Sequence, residues 1–282
     1  MYYYIFDSFL NAPAYEKYVQ DINAALNDLT VQGERARISP VRRLPDIMRD
    51  AYAKKIDTIV MIGNEESFSK AIEYALKYNF TLGYFPVAPD DELAADLGVA
   101  TPDAAARALS ARRIEELYPL AINDTYFITR VHARINEEKK KKGMFSFLGQ
   151  RKHTQDVRML LDENYFVSGE FEDLTIYNLR SDSENPLVSK REIEATDQMF
   201  EVAFTARLPK YKEMRDRGSG NISKDDYRKM SPYNLLRSRK VEILAPQGME
   251  FLASGNVIAQ VPCVITSAPQ KIRIIAGRNA KF

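Results

Sequence analysis

The sequence predicts two domains: an N-terminal α/β domain with a doubly wound parallel sheet, followed by a C-terminal β-sandwich domain. At 282 residues the chain is longer than one ordinary domain, and 45% of its residues are hydrophobic, so each half can bury a core. Before Leu117, apolar runs alternate with segments of helical spacing, whereas after it the apolar residues recur at every second position. We therefore expect domains at 1–117 and 118–282, although the last residues can return to the first domain.

Three strand–helix units account for the first domain. Residues 2–6 are aromatic and β-branched, residues 32–40 suit a second strand, and Ile59, Val60, Met61 and Ile62 form an unbroken apolar run. Helices are predicted after each strand, opened by Pro13 in the first unit and by Pro45 in the second. Consecutive units of this kind predict a parallel sheet with right-handed crossovers.

The turn that follows the apolar run is the expected functional site. It reads Gly63-Asn64-Glu65-Glu66-Ser67 and leads into a helix with Phe68, Ala71, Ile72 and Ala75 on one face. Open α/β sheets bind their ligands at the carboxyl ends of such strands.

Alternating apolar residues predict the strands of the second domain. The first such strand covers residues 127–135, with His132 on its polar face, where we expect a surface residue. The same period continues at Val157/Met159/Leu161, Leu174/Ile176, Phe200/Val202/Phe204/Ala206, Val241/Ile243 and Ile272/Ile274.

Composition excludes several classes of protein. Lys and Arg number 40 against 39 Asp and Glu, so no nucleic-acid partner is expected. A single cysteine, Cys263, excludes a disulfide framework, and two histidines cannot build a Cys/His zinc cluster. The sequence has no apolar stretch of the ~20 residues needed to span a bilayer, which predicts a soluble, cytoplasmic protein.

Two segments of the first domain resemble motifs of the diacylglycerol kinases and related bacterial lipid kinases. VMIGNEESFSKAI is similar to V-x-GGDGT-L-NEV-I, and GYFPVAPDDELAADLG is similar to G-x-x-P-L-GTGNDFAR-S-LG. Pro86, Leu93, Ala94, Leu97 and Gly98 fall in register. The resemblance implies the two-domain lipid kinase fold, with ATP and Mg²⁺ as cofactors and a lipid alcohol as substrate.

The residues that handle phosphate depart from those motifs. GNEES keeps one of the three glycines of GGDGT, and APDDE keeps neither glycine of GTGND. Glycine lets backbone N–H groups approach a phosphate closely, and like charges ~4 Å apart near a protein surface repel by ~4 kcal/mol. We therefore expect ATP and Mg²⁺ to bind weakly or not at all. The positions equivalent to nucleotide-binding residues are Gly63, Asn64, Glu65, Glu66, Ser67, Ala88, Pro89, Asp90, Asp91 and Glu92.

A third segment places the family's general base at Ser254. GMEFLASGNVIAQVP resembles P-x-x-V-Q-x-DGE-x-x-G-x-x-P, in which the resemblance identifies the Asp as the base that deprotonates the lipid hydroxyl. Ser254 replaces that Asp and Asn256 replaces the Glu. Neither side chain is a base near neutral pH, and a general base contributes ~10²- to 10⁴-fold to a rate. No catalytic residue is expected to be intact, which predicts a pseudokinase.

Asp197 and Glu201 match the acidic positions of the family motif D-G-x-L-D, which the resemblance associates with a structural metal ion. The alternative is that they are ordinary loop and strand-edge carboxylates.

A basic and apolar segment in the second domain suits an anionic membrane surface, where each cation contributes ~1 kcal/mol. The alternative is a solvated loop whose apolar residues pack on the sandwich. The residues that would contact the lipid at the inner face of the membrane are Lys139, Lys140, Lys141, Lys142, Phe145, Phe147, Arg151 and Lys152.

Three functions stay open at this point. The first is a pseudokinase that binds a lipid, a nucleotide or a protein partner in the interdomain cleft. The second is an active ATP-dependent lipid kinase whose metal site is rebuilt from Glu65, Asp91 and Glu92. The third is a structural or interaction protein that keeps only the scaffold. A homodimer is compatible with each of them.

Overall fold

The computed structural model describes residues 1–29, 31–87, 91–135, 154–179, 186–189, 195–209, 214 and 223–280. They form a mixed α/β domain with a mostly parallel sheet and a second domain built on a large antiparallel sheet, which confirms the predicted fold class.

Six strands form the first sheet: β1 (Tyr2–Phe6), β2 (Gly33–Arg37), β3 (Thr58–Gly63), β4 (Thr81–Pro86), β5 (Ile114–Leu117) and β17 (Ile272–Ile275). Their order is β2-β1-β3-β4-β17-β5, and every neighbouring pair is parallel except β17 with β5. The central strand β3 is buried along its whole length, as its apolar run predicts.

Five helices cover this sheet: α1 (Glu16–Asp28), α2 (Leu44–Ala53), α3 (Glu65–Tyr78), α4 (Glu92–Asp96) and α5 (Pro102–Ala111). Short 3-10 turns at Ser8–Asn11 and Pro13–Tyr15 precede α1. Side-chain caps begin the last three helices, because Asn64, Asp91 and Thr101 each accept a hydrogen bond from a backbone N–H in the first turn. In the described part of the chain, every helix is too short or too polar to cross a membrane.

Eleven strands form the second sheet: β6 (Leu120–Ile122), β7 (Thr125–Phe127), β8 (Arg130–Arg134), β9 (Gln155–Leu161), β10 (Tyr165–Tyr177), β11 (Phe200–Ala206), β12 (Tyr233–Ser238), β13 (Lys240–Ala245), β14 (Glu250–Ala253), β15 (Asn256–Gln260) and β16 (Cys263–Ser267). The long strand β10 pairs with β9 through its first half and with β8 and β11 through its second half. It therefore joins two groups of strands, whose apolar faces enclose one core. Within the described residues of this domain, two short helices accompany the strands: α6 (Pro186–Ser189) and α7 (Lys224–Lys229).

The last strand corrects one expectation. The alternation at Ile272 and Ile274 groups this strand with the second domain, with the alternative that the last residues return to the first; β17 lies in the first sheet between β4 and β5, so the alternative is correct. A period of two identifies a strand without identifying its sheet, and the position of β17 is set by its pairing with β4 and by the burial of Ile272, Ile274 and Ile275. The strand β5, which the sequence analysis missed, forms the edge beside it.

Candidate functional site

The turn after β3 is filled by the chain's own side chains. Asn64 Oδ1 accepts hydrogen bonds from the backbone N–H of Ser67 at 3.0 Å and from Ser67 Oγ at 2.9 Å. Ser67 Oγ also donates to Asp7, which follows β1. The start of α3 therefore has a side-chain cap already in place, and Asp7 is a site residue that the sequence analysis did not identify.

Glu65 connects the two domains. Its side chain is buried, and its two carboxylate oxygens accept hydrogen bonds from Thr129 Oγ1 and Ser254 Oγ. Both donors belong to the second domain, and we call this group of three residues the Glu65 bridge. Burial raises the pKa of Glu65; the two hydroxyl donors oppose that rise, whereas the negative charges of Asp91 and Glu92 add to it.

Asp91 and Glu92 are also bonded within the chain. Asp91 caps α4 by accepting from the backbone N–H of Ala94 at 2.9 Å, and it accepts a second bond from the Tyr84 hydroxyl. Burial is the main cause that raises the pKa of Asp91. Glu92 accepts two hydrogen bonds from the Arg130 guanidinium, one of them 3.0 Å long between Nε and Oε2. The Glu92–Arg130 pair, like the Glu65 bridge, joins the first domain to the second.

These residues line a cleft of about 350 Å³ between the domains. The structure therefore brings two predicted groups together. One group is equivalent to nucleotide-binding residues of the lipid kinases, and the other is Ser254 and Asn256 at the position of the general base and its neighbour. The described residues of its wall are Asn64, Glu65, Glu66, Asp91, Glu92, Arg130, His132, Ser254, Gly255 and Asn256.

Three residues of the cleft wall were not predicted to lie in the site: Gly255, which stands between two predicted residues, and Arg130 and His132 of β8. His132 is half-buried rather than a surface residue, and burial followed by the charge of Arg130 lowers its pKa. The alternation of β8 correctly placed His132 on the polar face. That face is turned toward the first domain, so its polar residues line the cleft, which the sequence alone does not reveal.

The base-position residue Ser254 lies at the tip of the β14–β15 hairpin. Its φ is 46° and that of Gly255 is 81°, so both residues adopt the left-handed conformation of a tight turn. The Ser254 hydroxyl donates a hydrogen bond to the Glu65 carboxylate.

The residues present do not fit Mg²⁺ and ATP well. Among the described residues, no group of three or more His, Cys, Asp or Glu side chains is arranged to hold a metal ion. The cleft carboxylates already accept hydrogen bonds from Thr129, Ser254, Tyr84 and Arg130. We call segments 63–67 and 88–92, which correspond to the phosphate-binding motifs of the lipid kinases, the phosphate cradle. Asn64 and Glu66 stand in this cradle where the motif has glycine.

The remaining predicted site residues lie elsewhere or outside the described ranges. Asp197 and Glu201 both face Arg237, with 3.7 Å between Arg237 Nε and Glu201 Oε1. A metal role for these two carboxylates stays a prediction, and the guanidinium already supplies them with a cation. The other residues lie outside the described residues and also stay predictions: Ala88, Pro89 and Asp90 of the cradle, and Lys139, Lys140, Lys141, Lys142, Phe145, Phe147, Arg151 and Lys152 of the basic segment.

An α/β domain joined to an antiparallel β domain, with the cleft between them, is the diacylglycerol kinase fold. Three solved structures of diacylglycerol kinases from Bacillus anthracis str. Sterne, two of them provisionally assigned as such, match nearly the whole chain. The first has a TM-score of 0.71 at 12% identity and covers 98% of this chain and 97% of its own. The second has a TM-score of 0.68 at 13% identity, with the same coverage of both chains. The third has a TM-score of 0.65 at 12% identity and covers 99% of this chain and 97% of its own.

The likeness is one of structure. No protein-family profile and no curated protein sequence matches the chain. The fold that the three sequence motifs implied is confirmed over both domains, and the protein is lipid-kinase-like in architecture.

Proposed function

We propose that this protein is a pseudokinase that binds a ligand in its interdomain cleft without transferring a phosphoryl group. The observation that carries the proposal is the Glu65 bridge. The carboxylate at the position of the family's central Asp and the hydroxyl at the position of its general base are hydrogen-bonded to each other. In this arrangement each group already has a partner within the chain, so a metal ion or a substrate hydroxyl would have to compete with an existing hydrogen bond.

The start of α3 supports the same conclusion. A helix N-terminus attracts anions through its free N–H groups and its positive dipole end. Here Asn64 accepts from the Ser67 N–H, and Glu65 and Glu66 place two carboxylates in the first turn. A triphosphate at this position would displace the cap and meet negative charge.

One observation favours the active kinase as a second candidate. His132 lines the cleft, and its lowered pKa keeps the imidazole neutral at physiological pH, so it can accept a proton. If phosphoryl transfer survives in this chain, His132 is the described residue best suited to act as its base.

Lipid, nucleotide and protein ligands each remain compatible with a cleft that combines carboxylates, amides, a guanidinium and an imidazole. The basic segment at 136–153 favours a location on an anionic membrane, as a part of this proposal. Its test is co-sedimentation with anionic vesicles that weakens as salt is added.

Adding Mg-ATP is expected to leave the thermal unfolding temperature unchanged. A ligand at about 100 times its dissociation constant stabilises a protein by ~2.7 kcal/mol, which raises the unfolding temperature of a domain of this size by several degrees. Differential scanning fluorimetry with Mg-ATP, and with MgCl₂ alone as the control for ionic strength, measures the difference. A saturable rise seen only with Mg-ATP would show that the cradle still binds nucleotide.

A further inference from the structure

A second and larger cavity lies beside the cleft. It has a volume of about 620 Å³ and runs between the start of α2, one face of α3, and the β6–β7 and β14–β15 hairpins. Glu65, Glu66, Ser254 and Asn256 line both cavities, so the Glu65 bridge forms part of a common wall. We call this cavity the hairpin groove. Its volume is within the range of about 300 to 1,000 Å³ that is typical of small-molecule sites.

The walls of the hairpin groove are largely apolar. They include Leu44, Tyr74, Tyr126, Phe127, Val257 and Ile258. Val257 is an apolar residue of the β14–β15 hairpin, yet it is 44% exposed. It lines the groove, so a ligand bound there would cover its exposed surface. A ligand that fills this space therefore needs an apolar body.

The charge of the hairpin groove is negative. Among its described lining residues, the acids Glu65, Glu66, Glu73 and Asp124 stand against one cation, Lys70. Glu65 is held in its bridge and Lys70 is bonded to Glu66 at 2.7 Å, so Glu73 and Asp124 remain as the excess. The whole chain has a net charge of +1, so this excess is local. Burial raises the pKa of the Tyr74 hydroxyl, and the negative charge of Glu73 raises it further.

Stacked tyrosines extend from the hairpin groove to the surface. Tyr74 and Tyr78 have ring centroids 6.5 Å apart at 18°, and Tyr78 stacks on Tyr52 at 4.8 Å. Lys77 Nζ already lies 5.4 Å from the centre of the Tyr78 ring. Aromatic faces attract cations through their quadrupole, and they do so best for organic cations that shed water easily.

We propose that the hairpin groove binds an organic cation with an apolar body, such as an alkyl or aryl ammonium compound. The apolar part would lie on the hairpin and helix side chains, and the ammonium group would lie near Glu73, Asp124 and Tyr74. Glu73, Tyr74 and Asp124 line the groove but not the cleft, so the proposal does not depend on the absence of kinase activity.

Isothermal titration calorimetry of the full chain with octyltrimethylammonium tests the proposal. We expect saturable binding of one cation per chain. Octyl glucoside, which has the same chain and no charge, should bind at least about fivefold more weakly, and octyl sulfate more weakly still. Equal affinity for the cation and the glucoside, or no saturable binding of the cation, would overturn the proposal.

A pair of double variants locates the binding site. Glu73→Gln/Asp124→Asn is expected to weaken cation binding about tenfold. Glu116→Gln/Asp156→Asn removes two exposed carboxylates outside the groove lining and should change affinity less than about twofold. Both variants alter exposed residues and should unfold at the wild-type temperature. Equal weakening by the two variants would indicate an effect of net charge and would contradict binding in the groove.

Discussion

Replacing Glu65 with alanine is expected to lower the free energy of unfolding by about 2 to 4 kcal/mol. The change removes the acceptor for the hydroxyls of Thr129 and Ser254 and leaves a space between the domains. It also breaks a contact between residues 189 positions apart in the sequence. Urea unfolding, followed by circular dichroism, measures the loss.

The control is Glu65→Gln, which keeps the shape of the side chain and one acceptor oxygen. It should retain most of the wild-type stability, and its effect should depend on pH. Because the pKa of Glu65 is raised in the folded state above its ordinary value of 4.5, the carboxyl contributes most at low pH. That contribution is lost as the pH rises through the raised pKa.

The stability of the wild type relative to Glu65→Gln should therefore fall as the pH rises above the ordinary pKa of 4.5. A wild-type advantage that grew with pH over this range would mean that an ionised Glu65 stabilises the fold. That result would fit a carboxylate kept charged for a cation and would contradict a structural bridge.

Replacing Gly277 with alanine is expected to destabilise the protein by about 3 kcal/mol or more. An added Cβ would collide with the backbone of Gly98, whose carbonyl carbon lies 2.7 Å from its position, and backbone cannot rotate away as a side chain can. The Gly277 N–H also donates to Leu97 O at 2.8 Å, which holds the chain after β17 against the end of α4. The measurement is chemical unfolding of the purified variant.

Gly169→Ala is the matched control. Its Cβ would lie 3.5 Å from the nearest atom, a ring carbon of Phe171, which is an ordinary contact. We expect a change of less than about 1 kcal/mol. If the two variants were equally stable, the close approach of Gly98 and Gly277 would not contribute to the fold.

The contact between Gly98 and Gly277 explains why glycine is kept at position 98. Gly98 has a φ of +68°, and the backbone of residues 277–280 packs against it, so the fold itself requires glycine there. Asn64 and Glu66 stand where the lipid kinase motif has glycine, and here they cap α3 and lie in its first turn. The sequence already shows this difference between residues that the fold needs and residues that would contact a phosphate. Leu97 and Gly98 match the lipid kinase motif, whereas Asn64 and Glu66 depart from it.

The fold of the first domain could be predicted because its signals are local. The apolar run of β3 and the proline that opens α2, Pro45, depend on residues adjacent in sequence, and both are found as expected. The site could be predicted only in part. Glu65, Asp91 and Glu92 were identified by their motifs, but their partners Thr129, Tyr84 and Arg130 stand at no defined motif position and are brought in by tertiary packing. His132 was assigned to the surface for the same reason.

Incubation of the full chain with radiolabelled ATP, Mg²⁺ and a lipid extract tests the pseudokinase proposal most directly. The proposal predicts that no label appears in the lipid fraction, for the wild type and for Glu65→Gln alike. Labelled lipid made by the wild type, and lost in Glu65→Gln or in His132→Gln, would show an active phosphotransferase and contradict the proposal.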